Sequence, residues 1–463
     1  MPTVLTVIPC APKTPMNRTA WLTPAEIPRT TAQIGLTFVP SLLVPLVFYI
    51  ALGRIGFDVS AIVYLVIVGL MVTNAVLLWI EAWLGYRRDV VSREPSVPYP
   101  PATAIITAYL PNEAETIVET IEAFLRIDYP SDLQIILAYN TPCPLLIEKK
   151  LTEIARQESC FKLLCVKGST SKAQNINAAA MQATGEFIGV FDADHHPSPD
   201  GFSRAWQYLS CGYDVVQGRC VIRNGNASWA ARLVAVEFET LYALSHPGRS
   251  RLHNFGIFGG SNGYWKTSLL QEVPMQKAML TEDIDATMRV LQLGGKIAFD
   301  RSLISHELAP ETVKVLWNQR MRWAQGWFQV SIKHLRPALS SPHLSLRQRL
   351  GHFYLLGWCA IFPWLAFQII PILLYWIWWR SEHLKWTVPV FLCTAIFTFS
   401  TTPLQILLTY RVATPELRAR RWWFVIYATL TLVFYSEFKN LIARVAQVKE
   451  VMKDRRWKVT PRS

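Results

Sequence analysis

Three groups of side chains in this sequence are spaced for chemistry on a phosphorylated substrate. The first is Asp192-Ala193-Asp194, followed by His195, His196 and Pro197. Two carboxylates at i and i+2 just beyond a buried strand can both reach one hard divalent cation, which favours oxygen ligands. Such a cation can bind a diphosphate and neutralise charge as that group leaves. A solvated acidic turn capping the next helix explains the same spacing, and for this motif alone it is the more frequent explanation. His195 and His196 read as neighbours of the metal or as plain structure, because Pro197 and Pro199 already define a turn. Asp194 is expected to be a surface carboxylate. The second group is Thr281-Glu282-Asp283, with Asp285 close behind. Thr281 is placed to cap a helix running through Arg289, with acids favoured in its first turn. The functional reading makes Asp283 a general base that takes a proton from an acceptor hydroxyl. The third group is Gln319-Arg320-Met321-Arg322-Trp323, then Gln325, Gly326 and Trp327. Arginine suits bidentate phosphate contacts and tryptophan offers a flat face to a sugar or lipid head group. A basic amphipathic helix lying on a membrane accounts for the same residues and is compatible with that role.

The elements that must position these groups differ in kind along the chain. Of 463 residues, 51% are hydrophobic and only 17% charged, with 18 tryptophans. The apolar residues concentrate before about residue 86 and after about residue 350, as membrane ends around a soluble middle would. A net charge of +13 comes without any nucleic-acid-binding motif, so no nucleic-acid partner is expected. Basic residues at the edges of apolar runs suit topology and anionic lipid head groups instead. The eight cysteines form no CxxC pair and no His-interleaved zinc pattern, which fits reduced thiols acting as small apolar residues.

Residues 1–33, polar and rich in Pro and Thr, read as a flexible cytosolic leader. Residues 34–86 read as two transmembrane helices, the second ending in Tyr86-Arg87-Arg88, an aromatic and basic edge of cytosolic type. A proline-rich linker at 87–101 leads to the soluble domain, 102–350. There strands alternate with helices: Ala102–Ala108, Leu133–Ala138, Phe161–Val166 and Glu186–Phe191 read as strands, with helical stretches between them. That pattern predicts a parallel sheet with helices on both faces and ligands beyond the carboxyl ends of the strands. Residues 351–441 read as C-terminal transmembrane or interfacial helices, and 442–463 as a basic cytosolic tail. The short run Trp422–Tyr435 must be re-entrant or interfacial if the basic loops on either side of it share one face of the membrane.

Taken together the three motifs resemble glycosyltransferase family 2, in the branch that includes cellulose and hyaluronan synthases, where D-x-D, T-E-D and Q-x-x-R-W occur in this order before C-terminal membrane helices. The resemblance runs from Thr107 through Trp323 and includes Lys172-Ala173-Gln174-Asn175. It implies a GT-A-like fold, an α/β domain with a mostly parallel sheet inserted between N- and C-terminal transmembrane helices. It also implies roles. Tyr109, Glu113, Lys172 and Asp192 line the donor site, Asp194 binds Mg2+ or Mn2+, and Asp283 is the base. Gln319 and Arg322 hold the diphosphate, while Trp323 and Glu282 meet the acceptor. Family members often place Asp after the second strand, where it binds uracil. Here Asn140 occupies that stretch, which weakens the preference for uridine but still offers a base-edge hydrogen bond. Trp457, Thr460 and Arg462 resemble a short gating segment that covers the nucleotide.

The reaction so implied is inverting transfer from a UDP-sugar, UDP-glucose by expectation. Gly218–Asn224, Phe258–Trp265 and the terminal segment are similar to bacterial monoglucosyldiacylglycerol synthases of the cyanobacterial type. That likeness points to diacylglycerol as acceptor, in the cell inner or a thylakoid-type membrane. A processive synthase exporting a growing glycan is the alternative. A catalytically silent scaffold ranks last, since Asp192, Asp194 and Asp283 are all present.

Overall fold

A computed structural model describes residues 26–87 and 98–454. Its central domain is built on one sheet of β1 (Ala102–Tyr109), β2 (Leu133–Asn140), β3 (Phe161–Cys165), β4 (Phe187–Asp192), β5 (His196–Pro197), β6 (Val215–Ile222), β7 (Gly263–Lys266) and β8 (Ile297–Glu307), in the order β3-β2-β1-β4-β7-β6-β8-β5. β1 is buried continuously from Ala102 to Ala108, as a strand covered by helices on both faces must be. Its neighbours Ile105 and Ile106 point into opposite layers. One layer joins Ile105 to Ile136, Ile188, Val190 and Trp265; the other joins Ile106 to Leu137, Phe187, Phe191 and Phe202.

β1 pairs in parallel with β2 and β4, β2 with β3, and β6 with β8. Two strands run against this direction, as a mostly parallel sheet allows: β7, which fills the slot between β4 and β6 antiparallel to both, and β5, antiparallel to β8. The sheet is therefore mostly parallel. In register, Tyr109 lies opposite Asn140 and Thr107 opposite Asp192, so the carboxyl ends of three parallel strands open on one side.

Among the described residues, four helical segments are long and apolar enough to cross a membrane: Thr30–Arg54, Ser60–Tyr86, Leu346–Trp379 and Ser381–Val412. They flank the sheet domain as pairs. Two crossings after the domain would return the segment after Val412 to the domain's side. Trp422–Tyr435 is not among these segments. It forms the helix Arg421–Leu430 and a π turn, Thr431–Tyr435, that runs into the helix Ser436–Val451.

The second candidate span is fastened to the domain by backbone contacts. A Cβ at Gly85 would lie 1.9 Å from Leu244 O, and one at Gly248 2.0 Å from Glu81 O, so two helices cross with their backbones touching. Helix termination orphans the last carbonyls of the span. Arg301 takes two of them, donating to Gly85 O and Arg87 O at 3.0 Å each.

Two expected boundaries change. A helix begins at Glu26, so residues 26–33 are helical rather than leader; residues 1–25 and the linker residues 88–97 lie outside the described residues. The tail expected at 442–463 starts as buried helix: Ile442, Val445 and Ala446 pack on Met321. Arg444, expected among the tail's basic residues, points inward and donates to Pro363 O at 2.7 Å. Local composition showed the charges but not the neighbouring helix that buries them.

Candidate active site

Each motif reaches the site through a different element. Asp192 ends β4, and its backbone N–H donates to Ser261 Oγ at 3.0 Å. Lys172 opens the helix Lys172–Ala180, whose first turn is capped by Ser171 accepting from Gln174 N, as the N-cap preference for serine predicts. From there Lys172 Nζ sits 2.5 Å from Asp192 Oδ1 and donates to Gly260 O at 2.6 Å. Burial opposes its charge, but Asp192, Glu282 and Asp283 together hold the ammonium above the ordinary lysine value. At the end of β2, Asn140 Oδ1 accepts from Asn175 Nδ2 at 2.9 Å. That bond fixes the amide's orientation. Tyr109 and Glu113 bracket the short helix Leu110–Glu113 at the end of β1, both half-buried.

Asp194 departs from expectation. It is 1% exposed, not a surface group, and its Oδ2 accepts from Leu308 N at 3.0 Å. His195 beside it is fully buried, with Nδ1 3.0 Å from Ser305 Oγ and Nε2 3.0 Å from Glu307 Oε2. Burial disfavours its charged form, yet Glu307, Asp194 and Asp192 lift its pKa above the usual histidine value. Asp192, Asp194 and His195 each place a ligand atom within 4.8 Å of the others. Because both imidazole nitrogens are engaged by Ser305 and Glu307, the donors that fit a cation are the two carboxylates. An all-oxygen pair suits Mg2+ or Mn2+ better than a softer metal.

Asp283 lies in the first turn of the helix Glu282–Gln292. Burial first, and then the neighbouring Glu282, push its pKa up to about 7, against the pull of Lys172 and Arg322. A carboxylate poised near neutrality is suited to general-base work. Gly260 separates it from Lys172: a Cβ there would lie 2.9 Å from Asp283 Oδ2 and 3.6 Å from Lys172 Nζ, and its φ of +90° also favours glycine. The loop carrying Gly260 is held by Gln217, which accepts from Gly259 N at 2.8 Å and donates to Ser261 O at 3.0 Å. Thr281 occupies the N-cap position as expected, but its side chain makes no cap bond. Its Oγ1 is buried without a partner among the described residues, and it lies beside Gly326, where a Cβ would meet it at 2.6 Å.

The helix Val313–Ser340 carries the third motif. Gln319, Arg322, Trp323 and Gly326 stand at i, i+3, i+4 and i+7, which places them on one face. Arg322 Nη1 donates to Leu280 O at 3.3 Å, beside the Thr281-Glu282-Asp283 turn. Gln319 is buried, and its Oε1 has no hydrogen-bond partner among the described residues. Leaving such an atom unmet costs about 1–3 kcal/mol, a cost that a ligand would relieve. Arg320 has another task. It pairs with Glu237 at 2.6 Å and lies 4.3 Å over the Trp323 ring. Burial works against the Glu237 charge, but Arg320 and Lys439 win and bring its pKa down to about 2. The first half of this helix is thus enclosed by the protein and not laid on a surface, since Gln319, Met321, Gln325 and Gly326 are buried.

Gly326 and the Gly259–Ser261 loop were not assigned roles from sequence. The glycine-rich run Phe258–Gly263 was the available signal for the loop. A Cβ at Gly326 would meet Thr281 Cγ2 at 2.5 Å and Thr281 N at 2.9 Å. Gly326→Ala is therefore expected to cost about 1–3 kcal/mol of stability by overpacking and to slow turnover by moving Asp283. Thermal unfolding and initial rates measure both. Wild-type values for the two would show that helix and turn separate without strain. Trp457, Thr460 and Arg462 lie outside the described residues.

Residues 100–326 match a family model described as "Glycosyltransferase like family 2". The probable glycosyltransferase YdaM of Bacillus subtilis is 26% identical over 264 residues, covering 55% of this chain and 61% of that protein. A poly-β-1,6-N-acetyl-D-glucosamine synthase of Staphylococcus epidermidis is 25% identical over 51% of this chain and 57% of its own length. A β-monoglucosyldiacylglycerol synthase of Synechocystis is 25% identical over 62% of this chain and 59% of its own. The chain thus spans under two thirds of the length of these curated relatives. A solved mannosyltransferase from Pyrobaculum calidifontis, in complex with GDP-Man and Mn2+, shares the fold with a TM-score of 0.54 and 18% identity, over 86% of this chain and 100% of that one.

Proposed function

Residues 100–326 belong to glycosyltransferase family 2, and for this membrane glycosyltransferase of GT-A-like fold we propose inverting transfer of glucose from UDP-glucose to diacylglycerol. The observation that carries the catalytic reading is the meeting of Lys172, Asp192 and Asp283 around Gly260, from three separate segments of the chain. In this reading Tyr109, Glu113, Asn140, Lys172 and Asp192 hold the donor, while Gln319 and Arg322 hold its diphosphate. Asp194 holds the divalent cation, Mg2+ or Mn2+, which when bound neutralises charge on the departing diphosphate. Asp283 removes the acceptor's hydroxyl proton as that oxygen attacks the anomeric carbon, with Glu282 and Trp323 beside the acceptor. The bond from that carbon to the diphosphate oxygen breaks on the opposite face, and UDP leaves with the bonding electrons. An α-linked donor then gives a β-glycoside.

The acceptor reading is supported by how the candidate spans pack. Tyr64 and Trp376, both fully buried, stand 5.0 Å apart, and Trp376 Nε1 donates to Ser60 Oγ at 2.7 Å. Two of the polar groups that could line a sugar path bind span to span instead. Asn74 Oδ1 accepts from Trp358 Nε1 at 2.8 Å, and Gln368 Nε2 donates to Ser41 O at 3.2 Å. Export of a polymer needs a continuous polar channel. A lipid acceptor needs only the membrane surface, where meeting the enzyme avoids the cost of lifting acyl chains into water, about 0.8 kcal/mol per CH2. The second reading, a processive β-glycan synthase, is favoured by the polysaccharide synthase among the relatives.

In this reading Trp457, Thr460 and Arg462 cover the nucleotide; Asp454, the last described residue before them, accepts at its backbone oxygen from Gln325 Nε2 at 3.0 Å. This reading places the domain and the tail in the cytosol. Purified protein supplied with labelled UDP-glucose, diacylglycerol and a divalent cation tests the function. One lipid carrying one β-linked hexose is expected, its size unchanged as UDP-glucose is raised. Lipid-independent formation of a long glucan would remove the lipid reading and leave the polymer synthase.

A further inference from the structure

The segment after the fourth candidate span carries a basic patch that the proposed reaction does not use. Residues 411–421 contain Arg411, Arg418, Arg420 and Arg421 against one acid, Glu416. Arg420 and, from the helix Trp229–Phe238, Arg232 both lie over the ring of Trp423, at 5.8 and 5.7 Å from its centroid. Arg421 lies 6.0 Å over Trp422. Each contact is favourable singly, but two guanidinium groups on one indole repel each other. Arg232, Arg418, Arg420 and Arg421 are exposed, and none of them is ion-paired among the described residues.

What lies next to the patch points to the kind of anion. From Arg421 the helix is apolar on two faces. Phe424, Tyr427 and Tyr435 are buried against Ala231, Val234 and Phe238 of the catalytic domain. On the other face Trp422, Val425, Ile426, Val433 and Phe434 are exposed, Val433 to 80%. A soluble surface rarely presents such a face, whereas a bilayer covers it. The patch also follows directly on the candidate span Ser381–Val412, and its tryptophans are of the type that settle at head-group depth. A helix sunk to that depth brings its basic end level with the lipid phosphates.

We propose that Arg232, Arg418, Arg420 and Arg421 form a binding site for the phosphate head groups of anionic phospholipids, in the leaflet that faces the catalytic domain. The site is distinct from the donor and acceptor positions, so it stands whether or not diacylglycerol is the acceptor. It also reaches the catalytic motif through packed groups. Tyr435 Oη donates to Glu237 Oε2 at 2.9 Å, and Glu237 holds the Arg320 that stacks on Trp323.

The full chain, purified in detergent, is titrated with phosphatidylglycerol or phosphatidylcholine, and bound lipids are counted by native mass spectrometry. Phosphatidylglycerol is expected to bind in preference. Arg232→Gln, Arg420→Gln and Arg421→Gln combined should weaken its binding by about a hundredfold, at about fivefold for each basic residue near the surface, with phosphatidylcholine unaffected. Thermal unfolding in the same detergent reports whether the combined variant folds. If it does not, the three single variants are read, each with an expected loss of about fivefold. Wild-type affinity for phosphatidylglycerol in the folded variants overturns the proposal. So does equal binding of the two lipids by the wild type, or displacement of phosphatidylglycerol by inorganic phosphate at matching concentration, which would mark a site for free phosphate.

Discussion

Asp283→Asn is expected to lower transfer by about 10²–10⁴-fold, the usual size of a general-base contribution, with donor affinity little changed. The amide keeps the carboxylate's shape in its place beside Gly260 and loses only the capacity to take a proton. A second signature follows from the environment of Asp283. Burial, and then Glu282, push its pKa up to about 7. Below that pH the group is mostly protonated and cannot act as base, so kcat/KM of the wild type should rise with pH through a midpoint near 7, since this quantity reports the free enzyme. The asparagine variant should lose that rise. Collapse of donor binding in Asp283→Asn would move the residue to the donor site, and a rise that persists in the variant would belong to another group.

The second large effect is at Asp194, and burial decides which substitution reads it. Its Oδ2 accepts from Leu308 N at 3.0 Å, so alanine would remove a metal ligand and also orphan a backbone donor, at about 1–3 kcal/mol of stability. Asparagine retains an acceptor for that N–H and removes the charge. A catalytic cation supplies several kcal/mol of transition-state stabilisation, and each 1.36 kcal/mol is tenfold in rate. Asp194→Asn should therefore lose about 10³-fold or more in transfer while melting close to wild type, and Asp194→Ala should lose both activity and stability. Turnover in Mg2+, in Mn2+ and in chelator, set beside thermal unfolding, separates the two effects. Full activity of Asp194→Asn in chelator would exclude the metal role.

What the sequence alone determined about this protein is what short range encodes. Runs such as Phe187–Phe191, and Ala102–Ala108 with only Thr103 and Thr107 polar, are mostly apolar because their strands are buried on both faces, and that is visible within a few residues. So are the long apolar stretches of the four candidate spans, and the types and order of the three motifs. The antiparallel insertion of β7 was not visible, because a four-residue strand carries no mark of the partners it will meet. Burial of charged and polar groups was likewise decided by partners far along the chain. Asp194 is enclosed by Leu308, Arg320 is paired by Glu237 and stacked on Trp323, and Arg444 is turned inward to the carbonyl of Pro363. The proton affinity of Asp283 belongs to the same class. Its sequence neighbour Glu282 accounts for one part of it, but the burial, the ammonium of Lys172 and the glycine that admits them all come together only when the sheet and the motif helix are assembled. Sequence names a side chain's chemistry and its local period; the dielectric and the charges around it are set by contacts that only the folded chain creates.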